Sequence, residues 1–337
     1  MRNIGNHVDI VAKVDFLRRP NSYPDSNGSI EVIETHRSFV FLTDDHAYKM
    51  KKPICNKIFD FNSLDARRRN CHHEVRLNRR LAENVYLGVV PLTIDEGGRM
   101  LLEGNGEPVE WLVKMRKLNR DRMLDYSIVH ATVTPGEIES VGRLLGTFYL
   151  KASPTTWSAA QYLHQLDEAI YRAKVELRSF SFGLSIPQID EVANRLRQCA
   201  NDHRVELIQR LLDGRIIDAH GDLRPEHICL EEPPVIIDCL EFNDDLRILD
   251  AASEMCFLTQ ECELLGGVEI SQHLWKQFLQ RASDCVTHEL RTFYCAYHAF
   301  LRASLAISHL RDQGIRHPEI WKPKAQRYLD LASSQLP

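Results

Sequence analysis

The chain has 337 residues, 44% of them hydrophobic and 26% charged, with a formal net charge of −5. This is the composition of a globular protein long enough for two lobes, and its acidic balance gives no bulk reason to bind nucleic acid or an anionic membrane. Nine scattered cysteines with no CxxC pair argue against a disulfide framework or a zinc cluster, no run of about 18 apolar residues offers a membrane span, and the first twenty residues carry no cleavable signal pattern, so the expected location is the cytoplasm.

Residues 1–28 read as an N-terminal extension, a short amphipathic helix from Val8 to Leu17 followed by a Pro, Asn, Ser and Gly segment. Ser29 to Leu42 carries two β-rich runs around Thr35–Ser38. The donors of that turn suit either a ligand phosphate or an ordinary surface hairpin. Asp44-Asp45 makes the next turn, and His46 to Lys52 leaves it as a strand with Ala47, Lys49 and Lys51 on one face. Ser63 to Glu83 is predicted as a long helix with three arginines near its start; Glu74 is the only acid between Asp65 and Glu83. Such a lone carboxylate is either a solvated charge or one end of an ion pair. Tyr86 to Ile94 and Glu107 to Leu118 add strands on either side of the Asp95–Gly98 turn, giving a five-strand sheet with one helix that ends near residue 118.

Beyond residue 119 the periodicity becomes helical: 135–151, 159–178, 187–213, 251–265, 271–285, 288–310 and 322–336. Pro135 and Pro187 fit helix starts and Gly214 a stop. His298 and Arg302, four residues apart, share a face that serves either packing or an acceptor pocket. Asp244, Asp245, Glu254, Glu261 and Glu263 make an acidic cluster, either a solvated face or an attractor for a cationic acceptor.

The chemistry concentrates in Ile216 to Phe242, IIDAHGDLRPEHICLEEPPVIIDCLEF. Ile216-Ile217 and Val235-Ile236-Ile237 read as short strands, each delivering an aspartate just past its end, Asp222 and Asp238. Two carboxylates so placed suit phosphoryl transfer, one orienting a hydroxyl and the other holding a metal. These residues resemble the catalytic centre of the aminoglycoside phosphotransferase and choline kinase family, which shares its core with protein kinases. Within it the chain is similar to stand-alone bacterial proteins carrying YKxKKP, an Arg-rich helix with Glu, HGDLRPEH and IIDCLEFN. The resemblance runs from about residue 29 to at least 310.

The resemblance implies an α+β, two-lobed protein-kinase-like fold: a small antiparallel N-lobe sheet with one helix over 29–118, and a larger, mostly helical C-lobe over 119–337. It implies an ATP-dependent kinase that phosphorylates a hydroxyl of a small molecule, with Mg2+, or Mn2+ in its place. Asp222 would be the base, His220 a support for its loop, and Asp238 the metal ligand. His227 stands five residues after Asp222, where the family has a metal-binding Asn. With a softer imidazole there, one metal position is altered, His227 contacts phosphate, the second metal is absent, or His227 only caps the turn. Lys49, with Lys51 as the register alternative, would reach the phosphates, and Glu74 would orient it. Ser38 would offer a phosphate contact and Met115 the backbone of the hinge to adenine. Glu241 would lie near the metal or acceptor side, or be a surface charge. Asp250 caps the following helix or also braces the catalytic loop.

Only eleven residues separate Asp238 from Asp250, too few for a peptide platform. Gly221 also replaces the arginine that many regulated protein kinases use to grip a phosphorylated loop. Both features point to a small-molecule acceptor. The alternative is a nucleotide-binding pseudokinase acting as a regulatory or scaffold module, motivated by His227 and by the glycine-free turn. The acceptor and the oligomeric state are not set by the sequence.

Overall fold

Six antiparallel strands form the sheet of the first of two units. The computed structural model describes residues 8–24, 28–55, 59–179, 183–311 and 317–336; residues 1–7 and 25–27 of the expected N-terminal extension lie outside the described residues. The chain divides into one unit of residues 1–127 with 226–246 and a second of residues 128–225 with 247–337.

In the first unit, strands β1 (Glu31–Glu34), β2 (Ser38–Leu42), β3 (His46–Lys51), β4 (Tyr86–Ile94), β5 (Met100–Leu102) and β6 (Glu107–Arg116) lie in the order β1-β2-β3-β6-β4-β5. Alternation along β3 divides its side chains between two cores. Tyr48 and Met50 join Phe41, Leu92, Val109 and Leu112 under helix α1 (Ile10–Leu17), which contributes Val14 and Leu17. Ala47 joins Val113, Met115 and Tyr86 with Cys71 and Val75 of helix α2 (Leu64–Asn78). The lysines of β3 share that second face. The sheet has one strand more than expected, because β5 pairs with the end of β4 across a tight turn. There the Asp95 carboxylate accepts from the Gly97 and Arg99 amides, and Gly98 takes φ +77°, a conformation glycine adopts without a Cβ clash.

Helix α2 starts at a Ser63 cap that accepts from the Ala66 amide and stops earlier than expected, at Asn78. The Asn78 side chain turns back, donating to the Glu74 carbonyl and accepting from the Cys239 amide. Buried Arg67 forks onto Glu110, which also takes Lys13 of α1 at 2.9 Å. A short hairpin, Ile228–Cys229 against Val235–Ile236, completes this unit; helix α3 (Leu124–Val129) crosses the division of the chain after residue 127.

The second unit holds α4 (Pro135–Lys151), α5 (Ala159–Arg178), α6 (Ile186–Asp202), α7 (Arg204–Leu212), α8 (Ala251–Leu264), α9 (Val268–Arg281), α10 (His288–Ser308) and α11 (Trp321–Gln335). The single helix expected over 187–213 is two, parted at His203, whose φ −91° and ψ 11° leave the helical region after the poor helix formers Asn201 and Asp202. Helix α10 packs against α5, α8 and α11, and α4 against α9. Residues 251–260 of α8 are all buried. A two-stranded ladder, Ile216–Asp218 with Ile248–Asp250, stands at its N-terminus. No helix among the described residues is long and apolar enough to cross a membrane.

Candidate active site

In the first unit, β3, α2 and the segment after the 228–236 hairpin bring five charges together. Lys49 Nζ lies 2.8 Å from Glu74 Oε1 and 2.7 Å from Asp238 Oδ1. Lys51 Nζ lies 2.6 Å from Glu74 Oε2 and 2.5 Å from Glu241 Oε1. Glu74 thus bridges the two lysines, with one oxygen for each. Access differs along this row: the Glu74 and Lys51 side chains are 0% and 2% exposed, Lys49 15% and Asp238 43%. Lys49 and Asp238 are the members a ligand can reach.

Burial alone would pull the Lys49 ammonium down, but Asp238 and Glu74 outweigh it and hold its pKa well above the ordinary lysine value. Asp238 is reachable yet recessed among protein atoms. That recess disfavours its charge, but Lys49 and then His227 more than compensate, keeping the carboxyl well below the usual range. Glu241 is lowered in the same way: burial opposes its ionisation, and Lys51 followed by Lys49 overrides it. Lys49, Asp238 and Glu241 are therefore charged near neutrality.

Asp238 adopts φ +61°, the left-handed region that a non-glycine residue enters at a cost. Its amide donates to the Tyr86 hydroxyl at 3.1 Å, and the next amide, of Cys239, donates to Asn78 at 2.8 Å. His227 Nε2 stands 3.6 Å from Asp238 Oδ2. Ser38 is buried, its hydroxyl 2.9 Å from that of Thr35, whose oxygen also accepts from the Ser38 and Arg37 amides. The Thr35 and Ser38 hydroxyls and the Arg37 and Ser38 amides are engaged within the turn, and the Arg37 guanidinium lies 3.7 Å from the Phe242 ring centroid. Met115 is buried and pairs in register with Ala47 on one side and Tyr86 on the other.

In the second unit the loop after Ile216–Asp218 is organised by a residue that the sequence reading placed only in an acidic cluster. Buried Glu254, on α8, accepts from the His220 amide at 2.9 Å, the Gly221 amide at 2.7 Å and the Tyr149 hydroxyl at 2.9 Å. Gly221 takes φ +87°, which lets successive amides face one carboxylate. His220 is fully buried, and its Nδ1 accepts from the Asp222 amide at 3.3 Å. The Asp222 carboxylate is 31% exposed, with Arg224 Nε 3.1 Å away. Asp250 caps α8 through the Ala252 amide and also takes a bidentate Arg210 and the Tyr294 hydroxyl. The loop amides belong to Glu254, one helical turn further on. Its signal was a lone carboxylate within AASEMCFLTQ, a stretch otherwise small or apolar.

The glutamates of the expected acidic cluster are each engaged. Glu254 points inward, Glu261 accepts from Tyr328 and Glu263 from Ser271. His298 pairs with Ser253 at 2.8 Å and stacks on Phe257, and Arg302 lies over Phe257 and Tyr328.

The chain has the protein-kinase-like fold. It superposes with a choline/ethanolamine kinase family protein from Mesorhizobium loti at a TM-score of 0.58 and 14% identity, covering 96% of this chain and 97% of that one. The GDP complex of aminoglycoside 2'-phosphotransferase-IIIa gives 0.55 and 14% over 97% and 99%, and a choline kinase from Streptococcus pneumoniae 0.54 and 14% over 94% and 99%. These neighbours are named as kinases and phosphotransferases of small molecules; at this identity the likeness is one of fold. In sequence, the chain is 29% identical over 282 residues to uncharacterised proteins of Mycobacterium tuberculosis and Mycobacterium bovis, a match covering 82% of this chain. The match spans about half of their length, 54%. No family model matches the chain.

Among the described residues no three His, Cys, Asp or Glu side chains converge as a metal cage. Asp238 with His227 supplies two donors. The carboxylate is the kind of oxygen donor a hydrated Mg2+ takes beside phosphate oxygens, whereas the imidazole nitrogen suits a softer ion better.

Proposed function

We propose that the chain is an ATP-dependent phosphotransferase acting on a hydroxyl of a small molecule. The observation carrying this reading is the placement of Lys49 between buried Glu74 and accessible Asp238. An ammonium fixed by one carboxylate, beside a second that is ionised and reachable, is suited to receive phosphate oxygens and their cation together. Ala47 and Met115, side by side on β3 and β6, would form an apolar seat for the base. The cation would supply charge neutralisation at the phosphates, held by Asp238 with His227 beside it. Asp222 would accept the proton of the acceptor hydroxyl; the Glu254 carboxylate fixes the amides of the two preceding residues and with them the loop. The short stretch between Asp238 and Asp250 supports a small acceptor.

A nucleotide-binding module without turnover is the second reading. It is favoured by the Thr35–Ser38 turn, which engages both hydroxyls and the Ser38 amide internally, and by His227. Thermal shift with ATP and Mg2+ or Mn2+ on wild type and Asp238→Asn tests what both share: metal-dependent stabilisation in the wild type, lost in the variant. No stabilisation with either ion sinks the nucleotide site. A metabolite screen with labelled ATP then separates enzyme from module. Once an acceptor is found, Asp222→Asn should lower turnover by about 10²-fold or more while ATP affinity is kept. Full turnover in that variant removes Asp222 as the base.

A further inference from the structure

The row of charges holds one lysine more than a phosphate contact needs. Lys51 is sealed: its side chain is 2% exposed, and its partners Glu74 and Glu241 are 0% and 10% exposed. No ligand reaches it, so its role is exerted on those two carboxylates.

Their placement says what that role is. Asn70, Glu74 and Asn78 lie four residues apart along one face of α2. All three act on the neighbourhood of residues 238–241. Asn70 donates to the Glu241 carbonyl at 3.3 Å, Asn78 accepts from the Cys239 amide at 2.8 Å, and Glu74 meets Glu241 and Asp238 through the two lysines. Lys51 is the charged link between β3, α2 and this segment that does not involve Asp238. If Lys49 turned to a phosphate and Asp238 to a cation, a helix held by Lys49 alone would lose its tether during binding. Glu74 would be left as a buried charge without its partner, a costly arrangement.

We propose that Lys51 is a positioning residue of the nucleotide site. It holds Glu74 and Glu241 in place independently of Lys49, so that Lys49 and Asp238 can change partners without moving α2. This rests on the nucleotide site proposed above. It differs from a purely structural role, in which Lys51 would affect stability but not the affinity of the folded protein for nucleotide.

Hydrogen exchange without nucleotide, compared in wild type, Lys49→Met, Lys51→Met and Glu241→Gln, tests the hold itself. In Lys49→Met, residues 64–78 should keep their protection. In Lys51→Met they should exchange about tenfold faster or more, together with 239–246, while β4 is unchanged. Equal loosening by both lysine variants, or none by Lys51→Met, overturns the proposal. Calorimetry with Mg·ATP on the folded proteins then tests the link to the site. Lys51→Met and Glu241→Gln should each weaken binding by about tenfold, and the double variant little further, because the pair acts as one unit. Affinities within twofold of wild type reduce Lys51 to a structural lysine. Should Lys51→Met not fold, the isosteric Glu241→Gln carries both measurements, opening 239–246 and weakening Mg·ATP. A wild type that binds no Mg·ATP refutes the nucleotide site, and the exchange comparison still decides whether Lys51 holds α2.

Discussion

Glu254 spends its charge on the polypeptide itself: two consecutive amides and a buried tyrosine hydroxyl. Truncation to alanine would strand those donors inside the second unit, so Glu254→Ala should cost about 3 kcal/mol in urea unfolding. Glu254→Gln keeps an acceptor oxygen and should cost less. His298 gives a pH signature. Burial, the dominant cause, pushes its pKa down to about 3 from an ordinary 6.5. The folded state therefore refuses a proton that the unfolded chain accepts, and stability is lost as pH falls below about 6.5, by roughly 1 kcal/mol per pH unit. His298→Gln should flatten unfolding free energy between pH 7 and 5; an unchanged slope would assign the acid sensitivity elsewhere. At this scale the sequence was unevenly legible. Lys49 and Glu74 could be paired on paper only through the family resemblance, because a lone helix acid by itself reads equally as a solvated charge. The role of Glu254 was not legible, because two of its three partners are backbone amides, which leave no mark on residue identity. Lys51 appeared only as a register alternative to Lys49, since alternation alone cannot tell a buried lysine from a reachable one.

Among the elements, α4 and α9 approach closely enough to exclude side-chain atoms. A Cβ at Gly142 would lie 2.6 Å from Gln277 Cβ, and one at Gly146 2.6 Å from Arg281 Cβ. Alanine in a helix interior ordinarily gains about 1 kcal/mol over glycine. Here the clash is with atoms next to the backbone, which cannot swing aside, and overpacking of about 1–3 kcal/mol should win. Gly142→Ala and Gly146→Ala are expected to lower the denaturation midpoint, whereas Gly136→Ala, with nothing within 4 Å, should not. A gain in all three would mean the helices part freely. Helices with long apolar stripes, such as α4, α5 and α10, were readable from periodicity. The three-residue β5 was not, because so short a run has no period to detect, and the break at His203 was hidden by an apolar pattern that continues through it.

For the molecule as a whole, the first unit is assembled from two stretches of chain. Its second core cluster takes Cys229 and Val235 from the later stretch alongside Ala47, Val75 and Val113, and Glu74 meets Glu241 only through that stretch. A fragment of residues 1–127 should therefore lack a cooperative thermal transition and near-UV circular dichroism, although it contains every strand of the six-stranded sheet. A sharp transition in the fragment would show that the later stretch adds only the site. Reading by order alone places a lobe boundary near residue 118, because a contiguous range is all that order can express; the return of 226–246 depends on contacts across more than a hundred residues.

That discontinuity bears on how the protein is made. About a hundred residues must leave the ribosome after the sheet is complete before the stretch that closes its charged face emerges, a delay of roughly 5–20 s at ordinary rates of synthesis. Throughout that interval Glu74, Lys49 and Lys51 lack Glu241 and Asp238, and the apolar wall that Val235 will cover is bare. The nascent chain thus passes through an obligatory stage of exposed surface, the stage at which a chaperone would be most useful and a slowed codon most harmful.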